Sequence, residues 1–154
     1  MIEDARRRLE DLLDSEIEAA RLLASTLAAE RDALTGDSPD AVRQRSAEKV
    51  RLLETLEGLE RERRTLSAEA GLGASLDASH VAAPLANRWR ALMELIAGCR
   101  AANEVNGYIV HVRQHQIRQL MDIVRGASPA IYGPPIYGPQ GKTFAKALRA
   151  LAQA

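Results

Sequence analysis

With 154 residues and 21 basic against 21 acidic side chains, the chain has room for one domain and lacks the basic surplus that general nucleic-acid binding requires. Leu, Ala, Arg and Glu dominate, only Phe144, Trp89, Tyr108, Tyr132 and Tyr137 are aromatic, and β-branched residues are few, so long helices are expected and an extensive sheet is excluded. Cys99 is the single cysteine, which excludes an intramolecular disulfide; no apolar run of about 18 residues offers a membrane span, and Met1-Ile2-Glu3-Asp4 lacks a signal-peptide layout, so a cytoplasmic protein is expected.

The first helix is predicted over about 2–34. Leu9, Leu13, Ala20, Leu23, Leu27 and Leu34 recur at three- and four-residue steps, with Leu12 and Ile17 widening the stripe. Gly36, Asp37, Ser38 and Pro39 then supply a stop, a cap and a first-turn proline. The second helix is predicted over about 39–69. Its apolar line is Val42, Leu52, Leu56, Leu59 and Leu66, joined by Val50 and Leu53. The short turn makes these two helices antiparallel neighbours.

Residues 71–83 read as a loop punctuated by Gly71, Gly73, Ser75, Asp77 and Ser79. The third helix, about 84–125, carries the most regular repeat in the chain. Leu85, Trp89, Leu92, Ile96, Cys99, Asn103, Asn106, Val110, Arg113, Ile117, Leu120 and Val124 follow four-three spacing. At 1.5 Å per residue it is roughly 60 Å long, against roughly 45–50 Å for each of the first two. It therefore projects beyond the hairpin or bends, and its seam is completed by the first two helices or by a second copy of the chain.

Gly126 ends this helix. Residues 127–141 are rich in Pro and Gly and nearly repeat themselves, as Ile131-Tyr132-Gly133-Pro134 and Ile136-Tyr137-Gly138-Pro139. A short amphipathic helix is expected over about 143–152, with Phe144, Leu148 and Leu151 on one side and Lys142, Lys146 and Arg149 around them. Too short to hold alone, it needs a partner, either this chain's bundle or another protein. Charge is uneven: residues 1–34 hold nine acids and five bases, and residues 127–154 hold three bases and no acid. The expected organisation is an all-α antiparallel coiled-coil bundle over 1–126 and a flexible tail over 127–154.

Catalytic and cofactor patterns fail on their own terms. Gly141-Lys142-Thr143 lacks the earlier glycine of a phosphate loop, since Ile136 holds that position, and proline-rich chain precedes it instead of a strand. His111 and His115 have metal-ligand spacing, but Val112 follows the first histidine where a zinc protease has glutamate. Bundle metalloenzymes use inward carboxylates with Glu-x-x-His, a pattern missing here. No enzyme, metal or cofactor is expected. Asn103, Asn106 and Gly107 are the unusual feature of the third seam: two amides and a glycine in mid-helix fix register within the bundle or mark a patch facing a partner.

The order of these features resembles the FlgN family of flagellar export chaperones. The resemblance rests on a long first helix ending near Gly36-Asp37 and a Glu- and Lys-containing second helix from Ala47 to Arg64. It continues with Trp89 and Leu92, Asn103-x-x-Asn106-Gly107, Arg113, Leu120 through Arg125-Gly126, and Tyr137-Gly138-Pro139-Gln140-Gly141. The doubled Ile-Tyr-Gly-Pro departs from a single tail tyrosine; Tyr137 is the one followed by the second glycine at Gly141.

The resemblance implies a protein that binds hook–filament junction proteins through their C-terminal helical segments and prevents premature assembly. It then brings them to the type III export gate, with the export ATPase complex nearby. It implies client binding in the C-terminal region, where Phe144, Leu148 and Leu151 are the expected contacts, and gate docking through Tyr132 or Tyr137. The alternative open at this point is a coiled-coil scaffold whose seams serve only oligomerisation.

Overall fold

The computed structural model describes residues 2–36 and 38–126. It contains α1 (Ile2–Thr35), α2 (Pro39–Glu69) and α3 (Ala83–Val124). No strand occurs among the described residues, so the all-α class holds. Helix α1 packs against both α2 and α3, and no comparable packing joins α2 to α3.

Local chemistry sets the ends. Ser38 caps α2 by accepting a hydrogen bond from the Ala41 amide, and Pro39 fills the first turn, where no amide donor is needed. At the other end Gly71 adopts φ +69°, a conformation costly for any residue with a Cβ. This lets Leu72 N–H reach Ser67 O at 2.8 Å and Gly71 N–H reach Ala68 O at 3.0 Å, a Schellman closure. The loop is then fastened by Leu76, which is fully buried, with Leu72 and Val81 packed on the same core. Asp77 accepts from the Ser79 amide and from the Ser75 and Ser79 hydroxyls, which holds its carboxyl below the usual range.

The core lies along α1. Leu9, Leu13, Ala20, Leu23 and Leu27 are fully buried, with Ile17, Ala19 and Leu34 nearly so. They meet Leu85, Trp89, Leu92, Ile96 and Cys99 from α3 and Leu56 and Leu66 from α2. Helix α3 runs parallel to α1. Arg88 pairs with Asp14 at 2.8 Å, Cys99 Sγ lies 3.5 Å from Ala20 O, and Arg113 donates to Gly36 O at 3.3 Å. Val50, expected to join the α2 seam, is 52% exposed.

Polar residues occupy seam positions on α1 and α2. Arg63 is fully buried and donates through Nε to Glu16 Oε2 at 2.8 Å. Its guanidinium lies 4.7 Å from the Trp89 ring centroid, which links α2 to α3 through side chains. A buried ion pair gains little net stability because both charges lose water, but it penalises any shift of one helix against the other. Burial pushes the Glu16 carboxyl up from 4.5 to about 7, opposed by Arg63 and assisted by the negative charge of Glu60.

Two expectations follow. Leu23→Ala lowers unfolding free energy by about 2–5 kcal/mol in a denaturant titration, whereas Leu22→Ala, at a 51% exposed position, changes it by less than about 0.5 kcal/mol. Carbon-13 NMR of the Glu16 carboxyl gives a midpoint near 7; a midpoint at or below 4.5 would show that attraction to Arg63 outweighs desolvation. Because the folded value lies above the unfolded one, protonation of Glu16 stabilises the fold fully below about pH 4.5, and that stabilisation is lost as pH rises through about 7.

Candidate partner-binding surface

Asn106 is the last buried residue of α3. It is buried, and its amide nitrogen donates to Leu27 O and to Glu30 Oε2, each at 2.9 Å. Its oxygen accepts from Arg31 Nε at 3.2 Å. Glu30 Oε1 in turn accepts from Lys49 Nζ at 2.7 Å and Ser46 Oγ at 3.1 Å. One asparagine thus ties α3 to α1, and through Glu30 to α2. Every polar group in this chain of contacts has a partner, which is the condition under which a buried polar network is tolerated.

Asn103 is half-buried on the preceding turn, and Gly107 is exposed. A Cβ at Gly107 would meet no atom within 4 Å, so no close backbone approach requires the glycine here. Of the other expected site residues, Tyr132, Tyr137, Phe144, Leu148 and Leu151 lie outside the described residues. Cys99 is buried, and burial pushes its thiol up to about 11, so at neutral pH it is a packing residue and not a nucleophile. His111 and His115 are half-buried on α3. Among the described residues no three His, Cys, Asp or Glu side chains gather to hold a metal ion. No helix there is long and apolar enough to cross a membrane.

Beyond Asn106 the seam of α3 loses its cover. Arg113 faces the end of α1 at Gly36, and the 11 residues from there to Val124 extend about 16 Å further. On the same face as Cys99 and Asn106, Ile117 is 60%, Leu120 61%, Met121 46% and Val124 83% exposed. Tyr108 and Ile123 add exposed apolar area on other faces. A shallow open groove lined by Ala33, Gly36, Pro39, Val42 and Arg113 adjoins this stretch at the α1–α2 turn. Scattered exposed leucines are ordinary, but four large apolar side chains within two turns on one helix face form a contiguous exposed apolar patch.

The seam repeat pointed to these residues without showing that they are uncovered. Glu16, Glu30 and Arg63 were missed because charges on a helix usually mark its solvated side. Their spacing was the available signal: Glu16 stands three after Leu13, Glu30 three after Leu27, and Arg63 seven after Leu56.

The network predicts the effect of removing its centre. Asn106→Leu leaves Glu30, Arg31 and the Leu27 carbonyl short of partners and lowers stability by about 1–3 kcal/mol in denaturant titration. Unchanged or higher stability would mean that the amide costs as much to bury as its contacts return.

Neither the curated proteins nor the solved structures yield a match to this chain. The family model described as FlgN protein matches residues 1–144, which takes in all three helices and the tail as far as Phe144. The chain is a member of the FlgN family.

Proposed function

We propose that this chain is a cytoplasmic export chaperone for hook–filament junction proteins, which it holds by their C-terminal helical segments and delivers to the flagellar type III export gate. Family membership carries the reading: FlgN proteins are flagellar export chaperones and not enzymes. The chemistry of the chain supports it. Junction-protein segments that self-assemble through apolar helix faces are kept apart by a reversible apolar cover, and an amphipathic helix laid against such a face is one physical form of cover. This chain has two candidates, the spaced set Phe144, Leu148 and Leu151 and the exposed end of α3.

In this reading Phe144, Leu148 and Leu151 contact the client. Each buried large side chain contributes roughly 1.5–3 kcal/mol before ordering costs, so three of them support binding of about micromolar strength. That strength permits release at the gate. Tyr132 and Tyr137, set in Pro- and Gly-rich chain, are the aromatic anchors for docking on the export gate or its ATPase complex. Of Asn103, Asn106 and Gly107, Asn106 holds the root of the projecting end of α3 through its contacts with α1.

Co-purification with junction proteins of the same organism, using the full chain and a version ending at Gly141, tests the reading. Binding by the full chain and a loss of about 100-fold or more on truncation places the client on residues 142–154. Binding by both keeps the function and moves the client to the bundle, where 117–124 is the exposed apolar stretch. Binding by neither favours a coiled-coil scaffold. A Tyr137→Ala variant that keeps client affinity but exports no client supports gate docking; normal export from a Tyr132→Ala/Tyr137→Ala variant removes that role.

A further inference from the structure

The exposed face of α3 and the C-terminal segment of the same chain match in length and spacing. Ile117, Leu120, Met121 and Val124 present apolar groups at i, i+3, i+4 and i+7. Phe144, Leu148 and Leu151 stand at i, i+4 and i+7. Either set spans two helical turns, about 10 Å. In an antiparallel arrangement a single register places Ile117 opposite Leu151, Leu120 opposite Leu148 and Val124 opposite Phe144. A helix through residues 143–152 has only alanine and threonine beside its apolar line, at Thr143, Ala145, Ala147, Ala150 and Ala152. Its charges, Lys146 and Arg149, fall on the opposite side. Its flanks therefore admit close approach and set no charge against Arg118 and Arg125, which border the apolar face of α3.

The size of the face selects the occupant. Two turns of one helix bury on the order of a few hundred Å², well below the roughly 800 Å² per partner of a stable association between separate molecules. A tethered segment needs far less, because the tether supplies an effective concentration in the millimolar range. The tether here is residues 127–142, which reach about 50 Å when extended, several times the separation required. The exit from α3 leaves room for the reversal: Gly126 has φ +71° and donates to Ile123 O at 3.1 Å, which stops the helix two residues past Val124.

We propose that residues 143–152 dock antiparallel on Ile117, Leu120, Met121 and Val124 of their own α3 when no client is present. The bundle then masks the same three side chains that the chaperone reading assigns to the client. In that reading client capture requires their release, so α3 acts as a built-in competitor and lowers the apparent affinity for every client by the same factor. The docking itself rests on the chain's own residues and is tested without client, so its failure leaves the export-chaperone reading standing.

In a Cys99→Ala background, the pair Leu120→Cys and Leu148→Cys closes a disulfide within the monomer. Closure is about tenfold faster than for Gln119→Cys with Leu148→Cys, whose tether is nearly the same but whose first cysteine lies on the far side of α3. The rate does not depend on protein concentration. Equal rates for the two pairs overturn the proposal, and a predominantly intermolecular disulfide overturns it in favour of a second copy. Amide hydrogen exchange checks it without cysteines. In the full chain carrying Phe144→Asp and Leu148→Asp, the amides of 117–124 exchange about tenfold faster than in the unsubstituted chain; unchanged exchange there overturns the proposal.

Discussion

Helix α1 has to be buried from two sides at once, and the rest of the structure follows from that requirement. Its apolar stripe runs from Leu9 to Leu34 and is wide enough to meet α2 on one flank and α3 on the other. A helix hairpin alone would leave half of this stripe in water. Burial of five fully enclosed aliphatic side chains, at roughly 1.5–3 kcal/mol each for a leucine, makes the three-helix arrangement favourable over the hairpin. The third helix brings the complementary row Leu85, Trp89, Leu92, Ile96 and Cys99 in parallel with α1.

Aliphatic seams of repeating leucine are permissive about sliding, since a shift of one heptad exchanges one leucine for another. Two polar arrangements oppose that shift. Arg63 must find Glu16, and its plane meets Trp89, near one end of the bundle. Asn106 must find Leu27 O, Glu30 and Arg31 toward the other. Moving any helix by a turn would separate buried charges or amides from their partners, a far larger loss than mismatched leucines. Apolar burial provides the attraction, and the polar pairs select one register out of several.

Fixed register combined with unequal length produces the exposed apolar end of α3. Because α3 is tied to α1 at Arg88, Cys99, Asn106 and Arg113, the excess of its 42 residues falls at its C-terminal end. That end keeps the seam pattern but has no neighbour among the described residues, and residues 127–142 separate it in sequence from Phe144, Leu148 and Leu151. A short exposed face of this kind exchanges partners readily, because its contact area is small.

The sequence by itself determined the helical class, the stop at the α1–α2 turn and the stripes that face inward, because these depend on spacing within one helix and on local cap chemistry. It also carried the family resemblance, which rests on ordered features such as Asn103-x-x-Asn106-Gly107. Only the tertiary structure decided that Glu16 and Arg63 are buried together and that Asn106 is spent on an internal network. It likewise decided that Ile117, Leu120, Met121 and Val124 are left open. The reason is the same in each case. A seam residue is buried or exposed according to whether a neighbouring helix reaches it, and that reach depends on how helices of different length are aligned, which no single stripe records.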